Sequence, residues 1–145
     1  MRVQDATYDE LALSWLRRYH RDIEAGTDYR AFSAWNNAGH FQGLVAFTNF
    51  LGQPEGKASS AQVHVALGTP FAALPLWRAF TKYAFETCGL SSVMALVPGQ
   101  SRINSIARKL GFRFVGLVAA GFGDRDLVIL QLRPEYIALR RRKAA

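Results

Sequence analysis

Apolar residues return every four positions at Leu11, Trp15, Tyr19 and Ile23, while Arg17, Arg18 and Arg21 fall off that stripe. This spacing predicts an amphipathic helix over about Tyr8–Ala25, entered at Asp9 and stopped by Gly26. A short strand over Met1–Thr7 precedes it. The period then shortens to two. Tyr29–Trp35 and His40–Phe50 read as strands joined at the turn cluster Asn36-Asn37-Ala38-Gly39, which makes them a hairpin. Gly52–Ser60 is polar, rich in Gly and Ser, and predicts an exposed loop. In the next strand, Ala61–Leu67, the residues Val63, Val65 and Leu67 share one face and Gln62, His64 and Ala66 the other.

Gly68–Pro75 carries two prolines and predicts a turn. Leu76–Cys88 follows as an apolar helix with Leu76, Phe80, Tyr83 and Ala84 inward and Gly89 as its stop. Ser92–Val97 is a short, mostly apolar strand that suits a buried central place. After the turn at Pro98-Gly99, the residues Ile103, Ile106, Ala107 and Leu110 recur at helical spacing, so a helix of about three turns packs on the sheet. Gly111 stands where an αL residue ends that helix, and Phe112 folds back over its end. Strands over Arg113–Ala120 and Leu127–Leu132, with a turn at Gly121–Asp124, complete the order β-α-β-β-β-α-β-α-β-β.

Half of the 145 residues are hydrophobic, enough to bury a core, and residues 1–145 are expected to form a single domain. The polar start MRVQDATYDE has no signal-peptide character, and no apolar run is long enough to span a bilayer. A cytoplasmic protein without a membrane partner is the expectation. One cysteine, Cys88, excludes a disulfide framework and a multi-cysteine zinc site, and is read as a packing residue. Three scattered histidines make no metal motif. Charge changes the picture more. Residues 1–101 are balanced at eight basic and eight acidic, whereas 102–145 hold ten basic and three acidic and so carry the entire +7. The run Arg140-Arg141-Arg142-Lys143 would attract nucleic acid, a membrane surface or a phosphorylated ligand, or serve as a solvated tail.

The run A-R-K-L-G-F-R-F-V-G (residues 107–116), the segment AFTKYAFETCGLSSVMALV, and the succession of elements together resemble the GCN5-related N-acetyltransferase (GNAT) family across essentially the full length. The resemblance implies an α/β fold with a central mixed, mostly antiparallel sheet of about seven strands flanked by helices. Its fourth and fifth strands splay apart to admit acetyl-CoA. The family's pyrophosphate signature, R/Q-x-x-G-x-G/A, falls on Gly68-Thr69-Pro70-Phe71-Ala72-Ala73, where only Ala73 matches. The backbone amides of Phe71, Ala72, Ala73 and Leu74 are then the expected phosphate donors, at a helix N-terminus. The family's pantetheine-binding asparagine falls on Gln100, with Asn104 one turn later as the substitute. Its general-acid tyrosine falls on Ala107, which leaves Ser101, Ser105 or water to protonate the leaving thiolate.

Acyl transfer to an amine needs a base, because only the neutral amine attacks a thioester. No Asp or Glu lies between Glu55 and Glu86, so the fourth strand offers only His64, a side chain that titrates near neutrality. The alternatives are a water, Glu24 of the first helix, or a purely structural His64. A backbone N–H near Leu67 would meet charge on the thioester oxygen. The function expected is acyl-CoA-dependent N-acylation of a primary amine, most simply with acetyl-CoA. Two other readings stand beside it: a GNAT-shaped protein that binds or modifies nucleic acid through the basic third, and an inactive scaffold that forms a homodimer through exposed strands. Trp15, Trp35, Phe47 and Phe50 read as core rather than as a base-stacking platform.

Overall fold

Asp9 opens the first helix as expected: its carboxylate accepts hydrogen bonds from the N–H groups of Leu11 at 3.0 Å and Ala12 at 3.2 Å. In the computed structural model, which describes residues 1–18, 29–52 and 58–137, this helix is α1 (Glu10–Leu16). Its buried face is Ala12 and Leu16, while Leu11 is 83% exposed. The predicted stripe is therefore rotated: Asp9 and its cap fix the helix so that the small Ala12 faces the sheet. Tyr19, His20, Arg21, Ile23, Glu24 and the predicted stop at Gly26 lie outside the described residues.

The strands are β1 (Arg2–Asp5), β2 (Arg30–Trp35), β3 (Phe41–Gly52), β4 (Ala58–Leu67), β5 (Ser92–Pro98), β6 (Arg113–Val118) and β7 (Leu127–Leu132). They form one seven-stranded sheet in the order β1-β2-β3-β4-β5-β7-β6. Only β4 and β5 pair in parallel; every other neighbouring pair is antiparallel. The β2–β3 turn is organised by Asn36, whose side-chain oxygen accepts from Ala38 and His40 N–H at 3.0 and 2.9 Å, and by Gly39 at φ 81°. β3 and β4 both run further than their alternation predicts, so only 53–57 of the expected loop fall between them, and these lie outside the described residues.

Pro70–Ala72 form a 3₁₀ turn that leads directly into α2 (Ala73–Thr81), and Lys82–Thr87 continue it as a π turn. The predicted turn over Gly68–Pro75 is thus partly helix, with Pro75 tolerated because a first-turn N–H has no intrahelical acceptor. The third helix, α3 (Arg102–Lys109), is shorter than expected. Ser101 caps it by accepting from Asn104 N–H at 3.1 Å. Gly111 ends it at φ 112°, and Phe112 N–H returns to Ala107 C=O at 3.1 Å, which buries the Phe112 ring against Phe80.

Two cores sit on opposite faces of the sheet. On one, Val45, Phe47, Val63 and Val93 meet Leu76, Phe80 and Ala84 from the α2 helix. On the other, Leu44, Ala46 and Ala66 meet Ala12 and Leu16 of α1 and Tyr29. Trp15 and Trp35 both stack edge-on against Phe41, and Phe47 is fully buried, so these aromatics are core. At the end of the sheet β6 is open, with Phe114, Val115, Leu117 and Val118 each about half exposed. No helix among the described residues is long and apolar enough to cross a membrane.

Candidate active site

β4 and β5 stay together over four residue pairs, from Ser60↔Ser92 to Val63↔Ala95. Beyond Val63 each strand keeps its outer neighbour, β4 pairing with β3 as far as Leu67 and β5 with β7 as far as Pro98. The two therefore diverge into a V that opens at their C-terminal ends. α2 and α3 begin at the mouth of this V and form its walls on one face. Between them and the sheet lies a cavity of about 220 Å³. Its mouth is formed by Leu67, Ala73, Pro98 and Ser101, and its far end by Phe80 and Phe112.

His64 is the first β4 residue past the last β4–β5 pair, so it stands at the vertex and contributes to the cavity wall. Its Nε2 lies 2.6 Å from Thr48 Oγ1 on β3, a short hydrogen bond that fixes the ring. The neighbouring backbone follows from the ladder. Gly68 N–H bonds Gln42 C=O at 2.9 Å, and Gly43 opposes Leu67. Because hydrogen-bonded and non-hydrogen-bonded pairs alternate in an antiparallel ladder, the N–H of Leu67 points away from β3, into the V.

The phosphate-loop amides are placed at the mouth but are largely engaged. Phe71 N–H donates to Thr69 Oγ1 at a long 3.4 Å, Ala72 N–H to Thr69 C=O at 3.2 Å, and Ala73 N–H to Pro70 C=O. Phe71 and Leu74 project outward, 82% and 44% exposed, whereas Ala72 is fully buried. An anion would take up Phe71 N–H in competition with Thr69 and meet the positive end of the α2 dipole.

Gln100 is exposed at the β5–α3 turn, and neither it nor Asn104 lines the cavity. The Asn104 amide latches that turn: Nδ2 donates to Gly99 C=O at 2.7 Å, and Oδ1 accepts from Arg108 Nε at 3.1 Å. The structure thus gathers His64, Leu67 and Ala73 around the cavity, sets Phe71, Ala72 and Leu74 on the first turns of the flanking helix, and leaves Gln100 and Asn104 beside it. Ser101 lines the cavity, but its hydroxyl donates to Pro98 C=O at 2.8 Å.

Two residues escaped sequence reasoning. Thr48 becomes the partner of His64 only through the β3–β4 register, which the sequence does not specify. Trp77 lines the cavity with its Nε1–H buried and unpartnered; its spacing of four from Ala73 was the available signal. A buried donor without a partner is costly in an empty site, and a carbonyl or amide oxygen from a thioester's pantetheine arm is the kind of group that would satisfy it. The V, the apolar walls and this donor fit acyl-CoA.

No family model matches the sequence, and no curated protein matches it. Solved structures do. The F149A mutant of the spermidine N-acetyltransferase SpeG from Vibrio cholerae superposes with a TM-score of 0.63 at 20% identity, over 86% of this chain and 76% of that one. The Campylobacter jejuni N-acetyltransferase PseH gives 0.63 at 15% identity, over 92% and 97%. With its seven-stranded mixed sheet, its single parallel pair and the V that opens beyond Val63, this chain has the GNAT acetyltransferase fold.

Proposed function

We propose that the protein is an acyl-CoA-dependent N-acyltransferase that acts on a primary amine, with acetyl-CoA as the donor its fold implies. The observation that carries this reading is the position of His64, a titratable ring held by Thr48 at the vertex of the V. When bound, the thioester supplies an activated acyl carbon. His64 takes the proton from the ammonium and frees the nitrogen lone pair. As the C–N bond forms and the C–S bond breaks, the electron pair leaves on sulfur as the thiolate, which takes up the second proton of the attacking nitrogen, directly or through water. Leu67 N–H, aimed into the V, faces the carbonyl oxygen while charge gathers there. Phe71 N–H and the N-terminus of α2 take the phosphates, Trp77 Nε1–H takes a carbonyl of the pantetheine arm, and Gln100 reaches that arm from the turn. Asn104 shapes the turn that carries Gln100.

CoA is expected to raise the melting temperature in proportion to the logarithm of its concentration, and Ala73→Glu to abolish that rise by setting a carboxylate against the phosphates. An unmodified protein that millimolar CoA leaves unstabilised is not an acyltransferase. The nucleic-acid reading gains no support from the described residues, and Arg140–Lys143 lie outside them.

A further inference from the structure

We infer that the acyl pocket is built for a hydrocarbon tail longer than acetyl, a chain of about four to eight carbons. This rests on the acyltransferase reading and specifies its donor.

The cavity does not end at the vertex. It continues beneath α2 and α3 along about 10 Å of helix, the rise from Ala73 to Phe80, to a floor made by Phe80, Ala107, Leu110 and Phe112. Of the residues lining it only His64, Trp77 and Ser101 have a polar side chain, and the His64 ring is held on the Thr48 side of the sheet. Ser101 stands at the mouth, His64 at the vertex, and Trp77 midway along α2 between Ala73 and Phe80. The floor offers nothing to hydrogen-bond, so water there would lack the two to four polar partners that hold it. A polar arm has no reason to reach this far, whereas an alkyl chain gains from it.

Size points the same way. An apolar cavity of about 150 Å³ stays dry and takes up benzene, and this one is about 220 Å³. With the pantetheine arm reaching only as far as Trp77, an acetyl methyl would leave the floor by Phe80, Ala107 and Phe112 empty. Room is left because Ala95 on β5 and Ala107 on α3 are small side chains among the larger Leu, Ile, Val, Phe and Trp residues of the walls. The reaction is unchanged by tail length: the same C–N bond forms, the same C–S bond breaks, and CoA leaves as the thiolate.

Calorimetric titration of the intact protein with CoA and with acetyl-, butyryl-, hexanoyl- and octanoyl-CoA tests this. Each methylene that enters the cavity tightens binding by roughly three- to four-fold, so hexanoyl-CoA is expected to bind at least about ten-fold more tightly than acetyl-CoA. Ala107→Phe fills the floor and is expected to erase the ratio of hexanoyl to acetyl affinity. Ala107→Leu, a smaller intrusion, is expected to halt the gain at butyryl even where the phenylalanine variant fails to fold. Affinities that are flat or fall with chain length overturn the inference and leave the acyltransferase reading standing. A gain that survives in both Ala107 variants also overturns it, since the tail then binds elsewhere. Binding of none of these compounds overturns both readings.

Discussion

At the scale of single residues the site rests on one imidazole. Among the described residues lining the cleft, His64 is the only imidazole, the side-chain type suited to moving protons at physiological pH. The Thr48 hydroxyl at 2.6 Å holds it in place. His64→Gln is expected to keep fold and CoA affinity, because glutamine still offers Thr48 a hydrogen-bonding group, and to lower turnover by roughly 10²-fold. The pH–rate profile separates base from scaffold. With His64 as base, the acidic limb of the wild-type profile disappears in the variant. A well-folded variant that retains the limb would exclude His64 and point to water or Glu24. Sequence alone reached His64 by elimination, since the strand has no carboxylate. It could not reach Thr48 or Trp77, whose roles depend on strand register and on how closely a helix lies against the sheet. Gly43 shows how close that is: a Cβ there would stand 3.3 Å from both Ala72 Cβ and Leu76 Cδ1.

At the scale of elements, the second helix does the most and was the least legible. Apolar spacing located its middle, but the 3₁₀ entry and the π exit depend on what each end packs against. The entry engages the amides that would otherwise face the cleft. The exit inserts an extra residue per turn, with Cys88 N–H bonded to Tyr83 C=O at 2.9 Å, and it carries Tyr83 onto Phe32 and Phe47. Burial there, with a hydrogen bond to Cys88 second, pushes the Tyr83 phenol up to about 12. Burial also raises Tyr29 beneath α1, against a lowering by Arg17. A phenol whose folded pKa exceeds the unfolded value of about 10 stays protonated in the native protein after the unfolded chain has lost its proton. Its stabilising contribution is complete below pH 10 and drains away as pH rises through about 12. Urea midpoints are therefore expected to fall between pH 10 and 12, and Tyr83→Phe to make that fall shallower without removing it, since Tyr29 acts in the same direction. An identical fall in the variant would mean that the π turn does not set the titration. By contrast the order of elements through β7 and the Gly111 stop were written in local spacing, and local spacing is what a sequence shows best.

At the scale of the whole molecule, the sheet is two leaves. One is β1 to β4 with α1 and α2; the other is β5, β7 and β6 with α3. Their direct seam in the sheet is the four-pair parallel ladder from Ser60↔Ser92 to Val63↔Ala95, supplemented by Phe80 meeting Phe112 across the floor. Parallel pairing is slightly the weaker kind per residue, and the V removes the ladder where the seam would otherwise lengthen. A ligand seated in the V touches both leaves and bridges that gap. Binding to the native state alone adds about 2.7 kcal/mol at about one hundred times the dissociation constant, and local stability rises most where opening must break ligand contacts. Hydrogen exchange with and without saturating CoA is therefore expected to show its largest new protection at Leu67 and Phe71 and along the seam residues of β4 and β5. The open β6 edge should exchange as before, because it lies on the far side of β7 from the cleft. Protection gained evenly across both leaves would mean that the seam already binds them into one cooperative unit, and protection gained at β6 would place the ligand outside the V.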